Sequence, residues 1–167
     1  TVNDILCKEL GPDFAAYREI FDKASKQEIV TDFPTHVGFE LNHSCNLKCP
    51  MCPWSSTEAK KKEGKKTWFD IEAFKQVIDE GVPKGLKSLS MNWVNEPLVR
   101  RDLPDFIAYA RDKGVLDIFV HTNAVLLRAD VSERLIDAGL TRLSVSLDAF
   151  NEETYNKIRI GSDFDLV

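Results

Sequence analysis

The sequence predicts an α/β fold of four consecutive βα units preceded by an N-terminal helix. Short apolar segments alternate with longer ones whose apolar residues recur every three or four positions, the pattern of strands feeding crossover helices. Later strands begin roughly 25–30 residues apart, the length of one right-handed βα unit. Glycines or capping residues punctuate the transitions. A length of 167 residues fits one domain, and 43% hydrophobic residues excludes wholesale disorder.

Gly11-Pro12-Asp13 reads as a turn and a cap. Phe14, Tyr17, Phe21 and Ala24 then recur at helical steps, giving a helix over about 13–27. Pro34 marks a boundary, so residues 1–34 form a helical extension and 35–167 the core. Val37–Leu41 is strand one, followed by a long loop over 42–68. Asp70 caps a helix carrying Ile71, Phe74, Val77 and Ile78, with Phe69 stapled onto Phe74 and Gly81 at its end. Leu86–Met91 is strand two. Asp102 caps a helix bearing Leu103, Phe106, Ile107 and Ala110, closed by Gly114. Ile118–Thr122 is strand three. Asp130 and Glu133 resemble a capping box for a helix with Leu135 and Ile136 on its apolar face, ending at Gly139. Leu143–Leu147 is strand four, and Asn151 starts a last helix through Tyr155 and Ile158.

Strands buried on both faces normally read as continuous apolar runs. These alternate instead. Gly38, Glu40 and Asn42 share one side of strand one; Ser88, Ser90 and Asn92 share one side of strand two. His121 and Asn123 fall together with Phe119, and Ser144 and Ser146 fall with Asp148. Helices must cover the apolar sides. The polar sides then line either a barrel wide enough for a ligand or a face open to water. Their clustering toward the C-terminal strand ends favours the ligand, because α/β folds bind there.

The net charge of −5 argues against a general nucleic-acid binder. No apolar stretch approaches the ~20 residues of a membrane span. The first residues, Thr1-Val2-Asn3-Asp4, show no secretory signal, which makes a cytoplasmic setting the expectation. Of the four cysteines, Cys45, Cys49 and Cys52 lie within eight residues in a C-x3-C-x2-C spacing, while Cys7 stands alone as an ordinary thiol. Such crowding points to metal or redox chemistry rather than disulfides. Structural zinc normally takes four ligands, so a zinc knuckle would need His43 or His36 as the fourth. Four-iron clusters also usually take four cysteines; three leave one iron open to a substrate or cofactor.

The stretch Cys45-Asn46-Leu47-Lys48-Cys49-Pro50-Met51-Cys52 resembles the signature of the radical S-adenosylmethionine (SAM) superfamily, which sits in this strand-to-helix loop. Val94-Asn95-Glu96-Pro97 is similar to that family's Gly-Gly-Glu-Pro segment, with both glycines replaced. Thr122-Asn123-Ala124 is similar to its Thr-Asn-Gly strand end, and Ser144–Asp148 to its fourth strand. The likeness covers about residues 35–167. It implies the first four units of a partial (β/α)6 TIM-like barrel. It implies a [4Fe–4S] cluster held by Cys45, Cys49 and Cys52, with SAM on the open iron. Glu96 and Asn95 would meet the SAM amine, and Ser146 or Asp148 the ribose; Asn123 belongs to the same cofactor-binding set. A reductase such as flavodoxin or ferredoxin would supply an electron. A deoxyadenosyl radical would then abstract hydrogen from a peptide, sugar or other small molecule.

Other readings stand beside this one. The chain could be a zinc-stabilised interaction module, or a degenerate barrel that binds SAM without catalysis. Lys60–Lys66 reads as a solvated loop, His121 as either an interior or a substrate-contacting histidine, and Trp54 and Trp93 as packing or rim residues. Glu40 reads as an acceptor for the cysteine loop. Superfamily barrels usually carry six units, so the expectation is the N-terminal part of a longer enzyme, and the Cys49-Pro50-Met51-Cys52-Pro53 form resembles branches with a C-terminal auxiliary-cluster extension of the SPASM or twitch type.

Overall fold

The computed structural model describes residues 1–55 and 68–167. The basic run Lys60–Lys66 lies outside the described residues. Strands β1 (His36–Gly38), β2 (Ser88–Ser90), β3 (Asp117–Thr122) and β4 (Arg142–Val145) form one parallel sheet in sequential order. Val37 stands opposite Leu89, Leu89 opposite Ile118, and Val120 opposite Leu143. Parallel neighbours need crossovers, which α3 (Ile71–Gly81), α4 (Leu103–Asp112) and α5 (Ala129–Asp137) provide. Helix α6 (Glu152–Ile158) follows β4, while α1 (Val2–Leu10) and α2 (Pro12–Ser25) precede the sheet.

The core lies between the sheet and α3 to α5. Leu89, Met91, Ile118 and Val120 from the sheet meet Phe74, Ile78, Phe106 and Ile107 from the helices, all fully buried. Phe39, Phe74 and Phe106 stack edge-on at centroid separations of 4.8 and 5.0 Å. Phe39 also meets Phe69 at 5.6 Å. It therefore stands between the two residues expected to staple directly. β1 is shorter than its apolar pattern because the chain beyond Gly38 turns to other partners. Leu41 O accepts from Phe69 N at 2.9 Å, and Asn42 bridges Trp68 antiparallel.

Helix starts divide by whether the carboxylate or amide is free to cap or is taken by a neighbouring arginine. Asp70 Oδ1 accepts from the backbone N–H of Glu72 and Ala73, at 2.9 and 3.0 Å. Asn151 Oδ1 likewise accepts from Thr154 N at 2.9 Å. Asp102 does not cap α4. Both its oxygens accept from the buried Arg100 guanidinium, which also donates to Leu41 O and Phe69 O. Asp130 does not cap α5 either; the N-cap is Arg128, which ion-pairs with Asp130. On α5, Leu135 is buried but Ile136 is 71% exposed, so its apolar face is narrower than expected.

Helix α1 has no counterpart among the elements expected from the sequence. It buries no side chain: the apolar Val2, Ile5 and Leu10 stay exposed, and its start is a Thr1–Asp4 capping box. Together α1 and α2 close the N-terminal end of the sheet. Tyr17 donates to the buried Asp117 at the start of β3 at 2.9 Å. Arg142 at the start of β4 pairs with the same carboxylate and donates to Asn3 Oδ1 at 3.0 Å. His36 bonds Ser88 Oγ through Nδ1 and Ser90 Oγ through Nε2, and Phe21 packs on its ring. The polar face of the sheet is thus satisfied internally at its floor. At the opposite end it opens into a cavity.

Candidate functional site

The cavity at the C-terminal strand ends measures about 380 Å³. The cysteine loop after β1, the end of β2 and the loop after it, β3 and its end, Ser146 after β4 and the segment after α6 all contribute to its wall. Cys45, Cys49 and Cys52 line it, with Asn95, Glu96, Asn123, Ser146 and Arg159. Cys49 is buried; Cys45 and Cys52 are partly so.

A short polar network anchors the cysteine loop. Asn42, at the end of the β1 segment, is 1% exposed. Its Oδ1 accepts from Ser44 N and Oγ, and its Nδ2 donates to Glu96 O at 3.1 Å. Glu96 N in turn donates to Ser44 O at 3.1 Å. The loop is thereby stitched to the residue it faces. Asn42, rather than Glu40, does this. Glu40 Oε2 instead accepts from Trp93 N and Val94 N, holding the loop after β2.

Glu96 is 3% exposed. Its Oε1 accepts from Leu98 N at 3.0 Å and Thr122 Oγ1 at 2.7 Å, and its Oε2 from Asn123 N at 2.8 Å. Burial pushes its carboxyl above the usual carboxylate range, while these donors and the Arg159 charge pull it back. Asn95 is 5% exposed, and its Oδ1 is buried with no hydrogen-bond partner. A buried acceptor without a donor is costly unless something supplies one. The side of the cavity at Asn95 and Glu96 therefore suits a cationic or multiply donating group.

The sulfurs receive donors of two kinds. Cys45 Sγ accepts from Leu47 N at 3.5 Å and from Asn123 Nδ2 at 3.9 Å. Burial is the main cause that raises its thiol pKa. Cys49 Sγ accepts from Arg159 Nη1 at 3.7 Å. Three thiols that share a cavity with amide and guanidinium donors form a donor set suited to thiolate ligation of a soft metal group. Among the described residues, no trio of cysteine, histidine or carboxylate side chains is already gathered around one point. Neither histidine weighed as a fourth zinc ligand joins the three cysteines. His36 sits on the floor of the sheet, and His43 is exposed against Trp54.

The structure thus brings Cys45, Cys49, Cys52, Asn95, Glu96, Asn123 and Ser146 to one cavity. Asp148 stands outside the lining and ion-pairs with Arg159 at 2.6 Å. His121, Trp54 and Trp93 also line the cavity, and Trp93 is 82% exposed at its rim. The sequence reading did not single out Arg159, Asn42 or Thr122 as site residues. Arg159 reaches a partner 110 positions away, which no local pattern reveals. Thr122 lies in the quoted strand end, and a hydroxyl beside a buried glutamate was its only signal.

The Radical SAM superfamily model matches residues 39–167, and the chain belongs to that superfamily. The superfamily uses a [4Fe–4S] cluster together with SAM. A probable GTP 3′,8-cyclase of Methanococcus maripaludis is 34% identical over 127 residues, covering 76% of this chain and 41% of that protein. An AdoMet-dependent heme synthase of Methanosarcina barkeri is 35% identical over 130 residues, covering 78% and 36%. The chain therefore spans about two-fifths of the length of these curated relatives. The fold is shared with Streptococcus suis SuiB bound to the precursor peptide SuiA, with a TM-score of 0.66 at 18% identity over 91% of this chain and 32% of that one. BtrN in complex with AdoMet and 2-DOIA gives a TM-score of 0.60 at 18% identity, over 77% and 52%.

Proposed function

We propose that this chain is the SAM-cleaving core of a radical SAM enzyme, with residues 1–34 a helical extension and 35–167 the core. The observation that carries this is one cavity lined by three cysteines, a buried carboxylate and a residue with an unpartnered buried amide oxygen. Cys45, Cys49 and Cys52 would hold the cluster through three of its irons. Glu96 Oε2 and Asn95 Oδ1 would accept from the SAM ammonium, a charge-assisted contact at the carboxylate. Ser146 would meet a ribose hydroxyl, and Asn123 would hold the cysteine loop against the end of β3. Asp148 serves this arrangement through Arg159 rather than from the cavity wall. When bound, the cluster and SAM supply one-electron cleavage to methionine and a 5′-deoxyadenosyl radical, which takes hydrogen from the substrate. Leu47, Trp54 and Trp93 add apolar surface to the cavity. The substrate is a peptide, sugar or other small molecule, and the electron comes from a reductase such as flavodoxin or ferredoxin in the cytoplasm.

Anaerobic purification tests the reading. The protein should carry iron and inorganic sulfide and, with dithionite and SAM, release 5′-deoxyadenosine. Cys49→Ala should lose cluster and product together. Undiminished 5′-deoxyadenosine from that variant would sink the assignment.

A further inference from the structure

We infer that Arg159 is a positioning residue that tunes the electron affinity of the metal group at Cys49, and that Asp148 aims it. This rests on the reading of Cys49 as a cluster ligand. The segment carrying Arg159 is braced within itself and tied to the cysteine loop by a backbone hydrogen bond. Tyr155 on α6 is fully buried, and its hydroxyl shares a hydrogen bond of 3.0 Å with Ser162 Oγ. Arg159 N donates to Tyr155 O at 2.7 Å, and Lys48 N donates from within the cysteine loop to Ile160 O at 2.9 Å. Gly161 follows at φ +99°, where an added Cβ would lie 3.5 Å from Leu47 Cδ2. The guanidinium is delivered by a braced turn.

Asp148 is the ion-pair partner of the guanidinium, and the Glu96 carboxyl of the same cavity also feels its charge. Nη2 pairs with Asp148 Oδ2 at 2.6 Å, Nη1 points to Cys49 Sγ at 3.7 Å, and Nε is buried with no partner. The Arg159 side chain is 15% exposed and that of Asp148 38%. A neutral thiol is a weak acceptor and a poor partner for a cation withdrawn from water. A sulfur bound to a metal group would be a stronger acceptor for it. Because the fork is planar, engaging one amino group with Asp148 directs the other at the sulfur. Cys45 differs, with only neutral amide donors. Reduction adds a negative charge to the cluster, so a cationic donor at one ligand stabilises the reduced form more than the oxidised one. Hydrogen bonds to the sulfurs and local charge are levers of cluster potential. Arg159 therefore makes the cluster easier to reduce.

The test is a redox titration of the anaerobically prepared chain followed by electron paramagnetic resonance, without SAM. Arg159→Gln should keep the wild-type iron and sulfide content and shift the midpoint to a more negative potential. Arg159→Lys, which keeps the charge but cannot serve Asp148 and Cys49 as a fork, should fall between the two. An unchanged midpoint in variants that retain the cluster overturns the inference. So does an unchanged midpoint with weakened SAM binding, which would make Arg159 a contact for SAM. Loss of the cluster from both folded variants would make it a structural brace and also overturn the inference. Absence of iron and sulfide from the wild type is a separate result, and it removes the parent reading instead.

Discussion

Glu96 accepts three hydrogen bonds, two at Oε1 and one at Oε2, and lines the cavity. A glutamine there would turn an N–H against one of those donors and would lose the charge. Hydrogen bonds to charged groups contribute about 1.5–3 kcal/mol, roughly a ten- to hundredfold change in affinity. Glu96→Gln should weaken SAM binding to cluster-loaded protein by about that factor while iron content holds. Unchanged affinity in an equilibrium binding experiment would remove Glu96 as the partner of the amine. This residue was legible in the sequence through the likeness of Val94-Asn95-Glu96-Pro97 to the family's Gly-Gly-Glu-Pro segment, a local feature. Arg159 was not, because its role depends on two residues brought to it by the fold.

At the scale of elements, Gly81 separates propensity from packing. Its φ of −79° is ordinary helix, so no backbone strain requires glycine. Alanine would raise helix propensity by about 1 kcal/mol. An added Cβ, however, would stand 2.7 Å from Phe33 Cε1 and 2.9 Å from Leu86 Cδ2. Overpacking of a tight site costs about 1–3 kcal/mol. Both neighbours belong to or pack on the core, so the cost should win. Gly81→Ala should lower the urea midpoint with no change in slope; a raised midpoint would show that the neighbours move aside freely. The sequence placed Gly81 correctly at the helix end but for a reason the structure replaces. The helix starts teach the same lesson. Asp70 caps because its acceptor needs only the next turn, whereas Asp102 is taken by Arg100 arriving from outside the helix.

Over the whole molecule, the sheet has a sealed floor and an open upper end. The floor rests on His36, between Ser88 and Ser90 and beneath Phe21. Burial is the main cause that depresses its imidazole pKa; the nearby Arg142 and Arg18 charges add to this, and Asp117 opposes it. Protonation is therefore easier in the unfolded chain than in the folded one. The stability His36 contributes as a neutral ring is present above the ordinary imidazole value of about 6.5 and declines as pH falls below it. The melting temperature should drop between pH 7.5 and 5.5, and His36→Asn should flatten that dependence. An equally steep profile in the variant would place the titration elsewhere.

Alternation of strands and helices, the polar side of each strand and the cysteine spacing were all written in the sequence, because each depends on neighbours within a few positions. It determined the α/β order and the residues that meet at the C-terminal strand ends. It did not determine what the polar face does along its length. Only the tertiary structure assigned the lower half to internal hydrogen bonds under α2 and the upper half to a cavity. Only the tertiary structure separated Asp148 from that cavity and gave it to Arg159. Such choices are made by side chains competing for partners far apart in the chain, and the closest donor in space wins.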